Sequence, residues 1–95
     1  MLTHIVFFKL NERTPENANA MRELLLSMNG KIDLIKSMDV GINVVESARA
    51  YDVALVQKFD SLAAMQEYQT HPEHVAILPR LRAMFSGSAS VDYES

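Results

Sequence analysis

Two of the three histidines and one of the three tyrosines fall within seven residues, Tyr68-Gln69-Thr70-His71-Pro72-Glu73-His74. A phenol and an imidazole this close in the chain form a pair able to act on a carbonyl compound. One group removes a proton alpha to the carbonyl and the other holds the enolate oxygen, as an intramolecular aldol step requires. His74 falls in the first turn of a helix predicted to start at Pro72. The positive end of that helix disfavours an added proton, so the imidazole should be neutral at physiological pH, as a general base must be. Tyr68 precedes the break and is placed to hydrogen bond to a substrate oxygen. A structural reading stands beside this one: His74 and Tyr68 bond each other, or a nearby backbone carbonyl, and fix the break. His71, at or near the helix N-cap, is suited to satisfying local backbone groups. It is carried as a ligand-binding candidate because it adjoins the pair. His71 and His74 would share a metal only on an unbroken helix. Pro72 interrupts it and no third ligand is near, so no metal is expected.

A scaffold must position this stretch, and the remainder of the chain reads as one. Ninety-five residues, 48% hydrophobic and 22% charged, predict one globular domain over residues 1–95 with a core of moderate size. The formal net charge of −3 argues against a nucleic-acid partner, which needs clustered Lys and Arg. No apolar run approaches the ~20 residues that cross a bilayer, so no membrane partner is expected. Met1 to Ile5 enters a strand-like pattern without a basic n-region, and no secretory leader is expected. The absence of cysteine excludes disulfides and thiolate metal sites; cytoplasmic is the default compartment. Gly-rich phosphate loops and thiol motifs are lacking, so no cofactor is expected.

Thr3 to Leu10 is rich in β-branched and aromatic residues and predicts a strand. Its alternation puts His4, Val6, Phe8 and Leu10 on one face and Thr3, Ile5, Phe7 and Lys9 on the other. Both faces are largely apolar, so both should be covered. Thr14-Pro15-Glu16 starts a helix carrying Ala18, Met21, Leu25 and Met28, ended by Asn29-Gly30. Ile32 and Ile35 suggest further helical turns. Strands are predicted over Met38 to Glu46 and Tyr51 to Phe59, with a turn between them. Asp60-Ser61 caps a helix with Leu62, Met65 and Tyr68, which should stop near Gln69 or Thr70 because Pro72 disfavours helix at His71. The helix from Pro72 carries Val75, Leu78, Leu81, Met84 and Phe85, and Pro79 should kink or split it. Arg80 and Arg82 read as solvated charges, and the methionines on helix stripes as core filling. Ser86-Gly87-Ser88 reads as a break before a last strand over Ala89 to Glu94.

Strand, helix, strand, strand, helix, strand is the α+β, ferredoxin-like βαββαβ order. It predicts a four-stranded antiparallel sheet with helices on one face. The apolar character of the other face predicts a symmetric homodimer packed through the sheet.

The opening Met-Leu-Thr-His-Ile-Val-Phe-Phe-Lys-Leu and the Tyr-Asp-Val-Ala-Leu-Val strand running into Phe59-Asp60-Ser61 occur here with two further signatures. These are Tyr-x-x-His-Pro-x-His and the closing Val91-Asp92-Tyr93-Glu94. Together they resemble the stress-responsive dimeric α/β-barrel (Dabb) family over essentially the whole chain. The resemblance implies a dimeric α+β barrel, with Asp92-Tyr93-Glu94 in the dimer contact and Tyr93 as an anchor. It also implies a cofactor-independent small-molecule-binding or stress-response protein, taking a small apolar or phenolic ligand. A plant branch of the family, the olivetolic acid cyclases, folds a linear poly-β-keto thioester into an aromatic acid. By likeness to that branch Tyr68 and His74 would be catalytic, His74 as base and Tyr68 as carbonyl or oxyanion donor, and His4 would line the pocket. A purely structural or assembly role is the third expectation.

Overall fold

The computed structural model describes residues 1–95. The order of elements is β1 (Leu2–Leu10), α1 (Pro15–Leu26), β2 (Ser37–Ile42), β3 (Val53–Phe59), α2 (Leu62–Thr70), α3 (Pro72–Arg82) and β4 (Phe85–Glu94). The strands form one antiparallel sheet in the order β2-β3-β1-β4, the ferredoxin-like arrangement. Its first and last strands end together: the Met1 amino group donates to the Ser95 carbonyl at 3.0 Å.

Local chemistry explains where the helices begin. Thr14 accepts from the Asn17 N–H at 3.2 Å and Ser61 from the Ala64 N–H at 3.1 Å. Each satisfies an otherwise orphaned donor of a first turn, and Pro15 and Pro72 sit where a missing N–H costs nothing. The α2 helix stops at Thr70 and the next begins at Pro72, with His71 extended between them.

Several boundaries differ from those predicted. The first helix ends at Leu26; Met28 to Lys31 form turns, with Gly30 in the left-handed region at φ 81° that favours glycine. Ile32 and Ile35 lie in irregular chain and not in helical turns. Ile32 is nonetheless buried, which is why its spacing mimicked a helix. The second strand ends at Ile42, and Val44 and Val45, expected within it, are 92% and 69% exposed. Pro79 does not split α3, which runs unbroken through it. Pro79 and Val75, four residues before it, both lie on the exposed side, so the carbonyl that proline leaves unpaired can bond water. Val75 is accordingly not on the inward stripe. His74, Ile77, Leu78 and Leu81 are the inward residues. Finally, Phe85 and Ser86-Gly87-Ser88 belong to β4 and not to a helix end and a break. Pairing with β1 holds them extended, and the register shifts by one residue at Ser86, where Leu10 faces Phe85 and Lys9 faces Gly87. An edge strand tolerates such a bulge.

The core lies between the sheet and the helices, where Met21, Leu25 and Met28 meet Val53, Leu55, Phe59, Met65 and Leu81. Burying each large apolar side chain contributes about 1.5–3 kcal/mol. The opposite face of the sheet carries no helix. Register places Val56, Ile5 and Val91 in one row across it and Ala54, Phe7 and Ala89 in the next. Phe7 and Val91 are 40% and 57% exposed there.

Candidate functional site

On the helix-facing side of the sheet one row breaks the apolar pattern. His4 pairs across the strands with Gln57 on one side and Asp92 on the other, close enough for cross-strand side-chain contact. The Nδ1 atom of His4 is hydrogen bonded to Asp92 Oδ1. A carboxylate oxygen accepts, so Nδ1 supplies the hydrogen of this bond. His4 is buried, and its ring meets those of Phe59 and Tyr68 edge-on, each at 6.4 Å between centroids.

The break between α2 and α3 delivers the other two groups. Tyr68 is the last inward residue of α2 and packs against Phe59 at 5.0 Å. His74 lies one turn into α3, its ring 4.4 Å from that of Tyr68. His74 Nδ1 stands 3.0 Å from the carbonyl of Gln69. A carbonyl can only accept, so Nδ1 bears the hydrogen and Nε2 is the basic nitrogen. Burial lowers the pKa of His74 from 6.5, opposed by the Gln69 carbonyl and reinforced by the charges of His4, Arg82 and His71. The ring is therefore neutral at physiological pH. Burial acts oppositely on Tyr68, whose pKa is pushed up to about 12 although a hydrogen bond from Gln57 favours the phenolate. Tyr68 keeps its proton and is a donor.

His4, Tyr68 and His74 line one cavity of about 170 Å³, closed elsewhere chiefly by Phe8, Leu25, Leu55, Leu78 and Leu81. His71 is not among the lining residues. Its Nδ1 accepts from the Glu73 N–H at 3.1 Å and so caps α3. Three further residues escaped the sequence reading. Asp92, expected only in the dimer contact, holds His4, Gln57 holds Tyr68, and Arg82, expected to be a plain solvated charge, also borders the cavity. The signal for Asp92 and Gln57 is cross-strand register, which a linear sequence does not display; Arg82 is reached by stepping two turns along α3 from His74. No group of three His, Asp or Glu side chains is arranged to hold a metal.

A buried imidazole–carboxylate pair, a protonated phenol and a second, neutral imidazole thus lie together over an apolar cavity in a ferredoxin-like protomer. The family model for the stress responsive A/B barrel domain (Dabb) matches residues 2–95, and the chain belongs to that family. Among solved structures it is similar to a dimeric ferredoxin-like protein of unknown function from Bacteroides fragilis. That likeness has 34% identity and a TM-score of 0.82, covering 99% of this chain and 95% of the other. A dimeric ferredoxin-like protein from Thermobifida fusca, also of unknown function, matches at 27% identity and a TM-score of 0.83, covering 97% and 88%. The hydroxynitrile lyase of Passiflora edulis shares the fold at 13% identity and a TM-score of 0.82, covering 97% and 90%. No curated protein matches the sequence. No helix is long and apolar enough to cross a membrane.

Proposed function

We propose that the protein binds a small, mostly apolar molecule in the cavity under Tyr68 and His74, as a ligand-binding or stress-response member of its family. The observation that carries this reading is the cavity itself: about 170 Å³, apolar in most of its wall, with His4, Tyr68 and His74 converging on it. A dry apolar cavity of about 150 Å³ accepts benzene. The space therefore suits one six-membered ring, or a chain of similar bulk, with a small polar group. Thermal shift against phenol, benzoic acid, acetophenone and short β-keto compounds tests this. Saturable stabilisation of the wild type that is reduced in Tyr68→Phe and His74→Ala supports the site. Stabilisation that is undiminished in both variants refutes it.

A second reading, a cofactor-independent cyclase-like enzyme, is favoured by the proton arrangement at His74. With Nδ1–H held by Gln69, Nε2 is placed to accept a proton alpha to a carbonyl while Tyr68 donates to its oxygen. Loss of solvent exchange at the alpha position of a bound β-keto compound in His74→Ala, with exchange retained in wild type, distinguishes enzyme from binder.

We also propose that two copies pack sheet to sheet as a homodimeric barrel. The uncovered apolar rows support this, as does the description of similar structures as dimeric. A structural or assembly role needs this contact and not the cavity, so it predicts that Tyr68→Phe is silent.

A further inference from the structure

Gln57 sits on the helix-facing side of β3 between Leu55 and Phe59, and it is 0% exposed. Burying an amide is unfavourable unless its groups find partners, whereas an apolar residue would fill the same place without that penalty. The amide finds one. Its Nε2 donates to the Tyr68 hydroxyl oxygen at 3.3 Å, while its Oε1 meets no donor within the protein.

This orientation decides where the Tyr68 proton goes. Since Oη already receives a hydrogen bond, the O–H is turned elsewhere, and it reaches Met28 Sδ at 3.8 Å. Met28 is part of the cavity wall. A thioether is a weak acceptor, so a carbonyl oxygen arriving in the cavity outcompetes it. A hydroxyl that receives a hydrogen bond is also a stronger donor. From this geometry we infer that Gln57 is a positioning residue: it turns the Tyr68 hydroxyl into a donor aimed at the cavity and thereby selects ligands bearing an acceptor oxygen. The inference rests on the proposed ligand site and adds the class of molecule, a ring-sized ketone, aldehyde or ester in preference to a hydrocarbon. Gln57 acts through Tyr68 and not by touching the ligand.

The test uses acetophenone and its hydrocarbon counterpart ethylbenzene as probes, titrated into wild type, Gln57→Met, Tyr68→Phe and the double variant. Methionine matches the shape of glutamine and keeps the site filled. Gln57→Met should weaken acetophenone about three- to tenfold, the loss expected for one hydrogen bond made less effective. Ethylbenzene should be unaffected, and the double variant should be no weaker than Tyr68→Phe alone. Equal losses for both probes, or a further loss in the Tyr68→Phe background, would overturn the inference. If neither probe binds the wild type, the ligand-site reading fails, and the ligand-free protein then decides the role of Gln57. In ring-labelled tyrosine NMR at neutral pH, the Cζ resonance of Tyr68 should move in Gln57→Met while those of Tyr51 and Tyr93 stay. A Tyr68 resonance that does not move refutes the positioning role.

Discussion

The two faces of this sheet invert the usual expectation. The face covered by helices carries a polar row, Gln57, His4 and Asp92, while the bare face carries an apolar row, Val56, Ile5 and Val91, one residue further along each strand. On the covered side each polar side chain has a partner, with only Gln57 Oε1 left without one, and Tyr68 and His74 close over them. On the bare side Phe7 and Val91 stay 40% and 57% exposed, although the ring of Tyr51 packs beside Phe7. A polar row inside and an apolar row outside fit the two proposals made above, a site in one place and a second copy in another. Because adjacent rows differ by a single residue, a slip of one in register would exchange the two faces.

Substitutions on the two faces should separate these roles. Phe59→Ala, in the fully buried layer beneath Tyr68, should lower stability by about 3–5 kcal/mol in denaturant melts. A cost below about 1 kcal/mol would mean that the covered face is not the load of the core. Ile5→Asp or Val91→Asp on the bare face should cost about 2 kcal/mol or more of association free energy. Light scattering should then report a monomer mass where the wild type gives a dimer; a monomeric wild type would remove the need for the apolar row. Tyr68→Phe should be milder still, weakening a ring-sized ketone about tenfold and costing about 1–2 kcal/mol in melting, since the ring stays but the buried Gln57 amide loses its partner. Acidification should give the smallest effect. Burial holds the folded-state pKa of His74 below its ordinary 6.5, so just below that pH the unfolded chain binds more protons. Stability should be full above about pH 6.5 and fall as the pH drops through it toward the folded value. In His74→Gln the melting midpoint should depend less on pH across that window, and an unchanged dependence would assign it to other groups.

What was legible in the sequence followed from neighbours in the chain. Thr14, Ser61 and Pro72 announced helix starts because capping needs only the next few residues, and the strand and helix order gave the ferredoxin-like topology. The grouping of Tyr68 with His74 was legible because both lie on one short segment. The partners of that pair were not. Asp92 lies 88 residues from His4 in sequence, and Gln57 is an ordinary polar residue until register sets it beneath Tyr68. Phase was the other difficulty. Reading α3 from Val75 placed Leu78 and Leu81 correctly but began the inward stripe one residue late, because His74 was not counted as a core-facing residue. The Ser86-Gly87-Ser88 segment looked like a break for a similar reason: its strand is held by pairing with β1, not by its own propensity.

The bond between His74 and Gln69 has a consequence for what the imidazole can be asked to do. It spans the proline break, so one nitrogen fastens two helices together while the other is left to solvent or ligand. Fastening and chemistry are thus assigned to different atoms of one ring, and the structural and catalytic readings of His74 are compatible. His74→Asn offers an amide N–H in the place of Nδ1 and no basic nitrogen, so it keeps the fastening donor without the base. A histidine methylated on Nδ1 does the opposite: it loses the junction and keeps Nε2 as a basic nitrogen.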